Sequence, residues 1–287
     1  MHYADYKTIL SPTNGMNLYR GCTHGCIYCD SRSTCYQFSH DFEDIEVKRN
    51  AVKILESQLK RKRKLTMIST GSMCDHYIEL EEELEITREC LKIIEKYGYG
   101  VSILTKSNRI LRDIDILKAI NEKAKCVVQL TMTTYDEELC RIIEPNVSST
   151  SERFAVLEAM HDAGIPTVVW ICPILPFIND SEENLLGLLD YCIRGKVKGV
   201  LCFGFGTTMR EGSRDYFYKK LDEHFPGMKQ RYINSFGNSY ECNSPNNAEL
   251  MKILESECSK NGIIWRFNDV YAYLRKFEVE ERQISLF

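Results

Sequence analysis

The stretch GCTHGCIYCD, residues 21–30, places Cys22, Cys26 and Cys29 on one short loop with no fourth cysteine at matching spacing. Gly21 and Gly25 give this loop the backbone freedom to wrap around a bound group. Closed zinc sites and ordinary iron–sulfur sites take four protein ligands. Three thiols in such a C-x3-C-x2-C run therefore describe a metal site with one position open. Zinc is the plain alternative, with His24 or His40 as fourth ligand and Cys35 as a further candidate thiolate.

Downstream of the loop, helical and strand patterns alternate. Helix is expected over residues 43–64, 78–100, 109–124, 151–164 and 182–195. Strands are expected at LTMIST (65–70), VSILT (101–105), CVVQLTMTT (126–134), IPTVVWICPI (165–174) and VKGVLCFGF (197–205). With an early strand around the cysteine loop this makes about six β/α units, so the sheet is parallel with helical crossovers. A ligand loop at the first unit points to an α/β fold of the partial TIM-like (β/α)6 barrel type, with functional groups at the C-terminal strand ends. Periodicity alone leaves a flat doubly wound sheet as the competitor. After about residue 210 the alternation breaks, so residues 1–210 read as the barrel and 211–287 as a mainly helical C-terminal extension and tail.

At 287 residues, 44% hydrophobic and 27% charged, the composition is that of an ordinary enzyme. The net charge of −4 excludes global attraction to nucleic acid, so such a partner must be met by a local patch. The opening MHYADYKTIL has no apolar signal core and no apolar run approaches a membrane span, so a cytoplasmic location without membrane contact is expected. Thirteen cysteines in a chain of this size read as thiols of a reducing compartment. Cys126, Cys172 and Cys202, single in apolar stretches, read as core packing.

The C-x3-C-x-aromatic-C run, with Tyr28 before the last cysteine, resembles the signature of the radical S-adenosylmethionine (SAM) enzymes. The resemblance implies that Cys22, Cys26 and Cys29 hold a [4Fe–4S] cluster and that SAM chelates the remaining iron. An electron from a donor such as flavodoxin or ferredoxin would cleave SAM to a 5′-deoxyadenosyl radical that abstracts hydrogen from substrate. Longer stretches are similar to the spore photoproduct lyase-like (DNA repair photolyase-type) group. They are NLYRGCTHGCIYCDSRS, VKRNAVKILESQL, GSMCDHYIELEEELEITR, ILTKSNRILRDIDIL, TMTTYDEELCRIIEPN and AGIP followed by CPILPFIND, in order over about residues 12–205.

Carried over residue by residue, the resemblance sets Lys106 near the methionyl carboxylate and Thr131 at the same group or the ribose. The Gly71–Ser72 turn falls near the methionyl amine, Tyr28 beside cluster and adenine, and Glu144 and Arg153 become further cofactor contacts. Where many relatives read TDPYQ-like, this chain has Cys74-Asp75-His76-Tyr77-Ile78. Cys74 does not fall at the lyase's cysteine, yet its thiol suits a hydrogen-atom donor.

The resemblance implies a lyase or related reaction on DNA or a nucleotide; the same chemistry on a peptide or small metabolite, or a non-catalytic zinc- or cluster-stabilised binding protein, are the alternatives. KRKRK at 60–64 reads as a solvated helix end or a phosphate patch. Tyr216, Phe217 and Tyr218 read as core or as a stacking wedge. In the final QISLF, Gln283, Leu286 and Phe287 resemble the Gln-x-x-Leu-Phe peptide that engages the bacterial sliding clamp; docking of the tail on the barrel is the alternative.

Overall fold

The computed structural model describes residues 1–71 and 73–277 of the chain. Ser72 and the tail residues Gln283, Leu286 and Phe287 therefore lie outside the described residues.

Six parallel strands form the central sheet: β1 (Gly15–Met16), β2 (Met67–Thr70), β3 (Gly100–Thr105), β4 (Cys126–Thr131), β5 (Thr167–Trp170) and β6 (Gly199–Leu201). Their spatial order equals their sequence order. A doubly wound sheet reverses its order at a switch point, whereas every crossover here lays the next strand beside the last in one sense. This is the open, partial TIM-like barrel. β4 is buried along its whole length, which is why CVVQLT reads as a continuous apolar run rather than an alternation.

The crossover helices are α1 (Ala51–Arg61), α2 (Ile86–Lys96), α3 (Ile114–Lys123), α4 (Glu137–Ile143), α5 (Thr150–Asp162) and α6 (Glu182–Arg194). α2 buries Thr87, Cys90, Leu91 and Ile94, one helical stripe against the sheet. α5 opens with a capping box in which Ser149 and Glu152 satisfy each other's backbone N–H groups.

Two helical expectations are corrected. Residues 46–48 form a strand that pairs with His2–Ala4 on one side and Tyr19–Arg20 on the other. The expected helix over 78–100 is broken at Glu85, which sits at φ 48° between a short turn, Glu81–Leu84, and α2. Buried Glu81 causes the break: it accepts from Thr87 N at 2.7 Å and from the Tyr19 hydroxyl, pulling the next turn out of line. The basic run Lys60–Lys64 is exposed between α1 and the N-terminal end of β2, the edge opposite the functional end of a barrel.

Helices α7 (Ser213–His224), α8 (Met228–Phe236), α9 (Asn247–Lys260) and α10 (Phe267–Arg275) follow. Gly206–Thr208 pairs antiparallel with Glu241–Asn243, and Ile264 bridges Gly199 of β6. Val270 and Leu274 of α10 pack on Val127, Val168 and Leu201. Neighbours in sequence such as Val128, Val169 and Val200 belong to the main core with the crossover helices, so α10 covers the inner face of β4–β6. Phe217 is buried among Tyr232 and Leu221, and the Arg32 guanidinium lies 3.8 Å from the Tyr216 ring centroid, so this aromatic run packs rather than wedges.

Candidate active site

The C-terminal ends of β2 to β6 surround a cavity of about 640 Å³, a size that suits a small-molecule site. The cysteine loop closes one side, and the hairpin strand Glu241–Asn243 contributes to the rim. Polar Gln129 lies on the inner face of β4, donating to Ser102 Oγ and accepting from Trp170 Nε1, each at 2.8 Å.

The loop is held from far along the chain. Cys22 N donates to Phe42 O at 3.1 Å, Ile27 N to Ile143 O at 2.9 Å, and Asn146 N to His24 O at 3.1 Å. Asn146 Nδ2 adds a bond to Thr23 O at 2.8 Å. Gly21 sits at φ 89°, where a Cβ would stand 2.3 Å from Phe42 O, so only glycine permits this approach. The segment after α4 thus clamps the loop backbone.

Asp75 organises the cavity wall. Its carboxylate accepts from Tyr77 N (2.8 Å), Thr105 Oγ1 (2.7 Å) and Lys106 N (2.7 Å). His24 Nε2 lies 2.9 Å from Asp75 Oδ2, although not aligned as an ordinary hydrogen bond. Burial alone would raise the Asp75 pKa, but His24 and these donors outweigh it and hold the carboxyl well below its usual range. Lys106 shows the converse balance. Burial disfavours its charge, yet Cys26, Glu144, Cys29 and Asp75 together raise its pKa, so it is a fixed cation.

Behind Tyr28 lies a buried ion pair. Arg153 is wholly enclosed and donates to Glu144 Oε2 (2.5 Å), Thr131 O (2.7 Å) and Ser148 O (2.8 Å). Glu144 accepts from the Tyr28 hydroxyl through its other oxygen. Cys74 is buried with Sγ 3.2 Å from Asp75 O. Its hydrogen bond to Cys22 is the main influence bringing the Cys22 thiol down to about 6, whereas burial pushes Cys74 and Cys26 up.

Residues 16–189 match the radical SAM superfamily. The chain belongs to the radical SAM superfamily. A Methanocaldococcus jannaschii protein is 33% identical over 213 residues, 74% of this chain and 76% of that protein. A Mycobacterium tuberculosis protein is 28% identical over 223 residues, 76% of this chain, and the match spans only 65% of the mycobacterial relative's length. Among solved structures, spore photoproduct lyase with bound AdoMet and a dinucleoside spore photoproduct aligns with a TM-score of 0.62 at 14% identity. That alignment covers 86% of this chain and 74% of the lyase chain.

Radical SAM enzymes use a [4Fe–4S] cluster and SAM, and the cavity fits them. Among the described residues, the only group of three or more His, Cys, Asp and Glu ligand atoms that all lie within 4.8 Å of one another is that of His2, His40 and Asp44. The three loop thiols thus do not converge as single-zinc ligands do, at about 2.3 Å from one ion and about 4 Å from each other. The expected zinc partners are also placed elsewhere: His24 faces Asp75, His40 stands with His2, and Cys35 is exposed beside Arg210. Gly71, at φ 85° on the cavity wall, adds a cradle; a Cβ there would come within 2.3 Å of Leu104 O.

The structure brings Cys22, Cys26, Cys29, Tyr28, Gly71, Cys74, Lys106 and Thr131 to one cavity. Glu144 and Arg153 do not line it; both carboxylate oxygens and the guanidinium are engaged with each other, with Tyr28 and with backbone carbonyls. Cys172, expected in the core, is half-buried and lines the cavity. The sequence reading missed Asp75 and the rim residues Phe203, Glu241, Asn243 and Asn247. Asp75 carried one signal, as an acid in the apolar run Cys74–Ile78.

Proposed function

We propose that this radical SAM enzyme abstracts hydrogen from DNA or a nucleotide, in a lyase or related repair or modification reaction. The observation that carries the reading is one cavity that joins the three-cysteine loop to an open aromatic and amide rim, formed by Trp170, Phe203, Asn243 and Asn247. Such a rim offers ring faces and paired donor–acceptor groups to a nucleobase. The structural likeness to a lyase with a bound dinucleoside spore photoproduct supports the same class of substrate.

Cys22, Cys26 and Cys29 would hold the cluster, with Lys106, Thr131 and Gly71 around SAM. Bound there, the two cofactors supply one-electron reduction and a carbon-centred radical that takes a hydrogen atom. The Lys106 ammonium would give the methionyl carboxylate a charge-assisted partner. Tyr28, fixed by Glu144, walls the loop, and Lys106 Nζ lies 5.8 Å from its ring centroid.

Cys74 keeps its proton because burial disfavours the thiolate. Its S–H bond would break as a C–H bond forms on the substrate radical. The resulting thiyl would regain an electron from a flavodoxin- or ferredoxin-type donor and a proton from solvent. A cytoplasmic setting supplies such donors, and no helix of the described residues is long and apolar enough to cross a membrane. Within this reading the barrel, residues 1–210, carries the cofactors and the aromatic side of the rim, and the extension from 211 supplies the amides Asn243 and Asn247.

The test is anaerobic reconstitution followed by incubation with ultraviolet-irradiated DNA. About four irons and four sulfides per chain, reductant-dependent 5′-deoxyadenosine and a change in the irradiated DNA are expected. SAM cleavage without any change in DNA or nucleotides would overturn the substrate class.

A further inference from the structure

α10 carries a feature that the cofactor site does not use. Its buried positions are Val270 and Leu274. The stripe beside it, Phe267, Tyr271 and Arg275, follows a spacing of four and is exposed. Phe267 is 41% exposed and Tyr271 36% exposed, and Phe203 beside them is 62% exposed, the largest value among the buried-type side chains of the described chain.

These rings touch one another in series. The Trp170 and Phe203 centroids are 5.7 Å apart with planes at 62°, Phe203 and Phe267 5.3 Å at 48°, and Phe267 and Tyr271 5.3 Å at 20°, so only the last pair is stacked. The Arg275 guanidinium continues the stack 4.0 Å from the Tyr271 centroid. Trp170 and Phe203 are themselves cavity residues. The ladder therefore begins inside the candidate active site and runs out along the exposed face of α10.

Its charge is one-sided. Between residues 266 and 276 the exposed charges are Arg266, Arg275 and Lys276 against Asp269 alone, within a chain whose net charge is −4. Exposed rings bordered by cations are what unpaired bases on a phosphate backbone require. A duplex, whose bases are already stacked on each other, has no ring face to offer this stripe.

We propose that the Trp170–Phe203–Phe267–Tyr271–Arg275 ladder is a stacking track for a single-stranded nucleic-acid segment, leading its target nucleotide into the cavity. The proposal rests on the nucleic-acid reading given above and deepens it, since it requires the target to be unpaired or flipped out before reaction.

The full-length chain is titrated against a fluorescein-labelled single-stranded DNA 12-mer, the same sequence as a duplex, and a labelled acidic peptide of equal charge. Binding is followed by anisotropy at low and moderate salt. The single strand is expected to bind best. Phe267→Ala and Tyr271→Ala should each weaken it about five- to hundred-fold, and Phe267→Trp should retain it, with unchanged far-ultraviolet circular dichroism in each variant. If wild type binds the strand but the alanine variants bind equally well, the ladder is wrong while the nucleic-acid reading stands. If wild type binds no oligonucleotide, both fall. Equal binding of the acidic peptide would reduce the surface to charge alone and overturn the track.

Discussion

The Glu144–Arg153 pair is the sharpest place to perturb this molecule, because it is sealed and touches the cavity only through others. In Arg153→Met the volume is nearly kept, but Glu144 Oε2 loses a partner at 2.5 Å and the Thr131 and Ser148 carbonyls lose their donors. Stranding one member of a buried ion pair costs about 3–5 kcal/mol. At about 2–4 °C per kcal/mol for a chain of this order of size, the melting temperature should fall by about 6–20 °C. The double variant Arg153→Met/Glu144→Gln removes the stranded charge and leaves mainly two carbonyls short of a donor, at about 1 kcal/mol each. It should melt above the single variant, a coupling of at least about 1 kcal/mol. The assay is anaerobic thermal denaturation by circular dichroism on the four members of the cycle, with SAM affinity measured on the cluster-loaded proteins. Affinity should fall in Arg153→Met because Thr131 loses its donor and Glu144, which fixes Tyr28, loses its own anchor. A shift below about 2 °C in the single variant, or a double variant less stable than Arg153→Met, would refute the reasoning.

Cys26→Ala and Cys29→Ala should each abolish iron binding, and Cys35→Ala should leave iron content intact because Cys35 is exposed outside the cavity. Cys22→Ala should leave residual iron that disappears in Cys22→Ala/Cys74→Ala, since the Cys74 thiol lies against Cys22; equal loss in both would show that Cys74 cannot substitute. Lys106→Ala should weaken SAM binding by about 1.5–3 kcal/mol if a charge-assisted bond is lost, without unfolding, because only its backbone N–H is bonded to Asp75; calorimetry on loaded protein reads this directly. His76 is enclosed with neither ring nitrogen in a hydrogen bond of ordinary geometry, and burial lowers its pKa from 6.5 to about 4. The unfolded chain then binds the extra proton first, so stability is fully present above about pH 6.5 and declines by about 3 kcal/mol as pH falls toward 4. His76→Leu should flatten that part of the pH–stability curve, and an unchanged slope would assign the loss to other groups.

The parts of this fold that were legible in the sequence depend on near neighbours. CVVQLT announces a strand because every position is buried, and the α2 and α5 stripes announce helices because their partners are one sheet face. The break at Glu85 was illegible for the opposite reason. ELEEELEITR satisfies helix propensity throughout, and only the contact of Glu81 with Tyr19, 62 positions away, explains where the turn must leave line. The strand at 46–48 was hidden likewise, since its partners are at the extreme N-terminus and at Tyr19–Arg20. α10 buries only Val270 and Leu274 deeply, too short a stripe to predict that it would cover the barrel's inner face.

The site divides along the same line, and the division says how it works. Cys22, Cys26 and Cys29 are readable because ligands to one centre can lie on one loop. What makes the loop a site is not local. Its backbone is bonded to Phe42, Ile143 and Asn146, its histidine faces Asp75, and its tyrosine is held by Glu144. The segment 143–146 supplies both the backbone clamp and the acid behind Tyr28, and Arg153 ties that acid to Thr131 at the end of β4. A single buried charge pair therefore connects the loop that would hold the cluster to the strand end that would hold SAM. A displacement of one must strain the other, because close-packed interiors transmit shifts rather than absorb them. This connection explains why Glu144 and Arg153 resembled cofactor contacts in the sequence while lying behind the wall: they fix the relative position of two binding surfaces that they do not touch themselves.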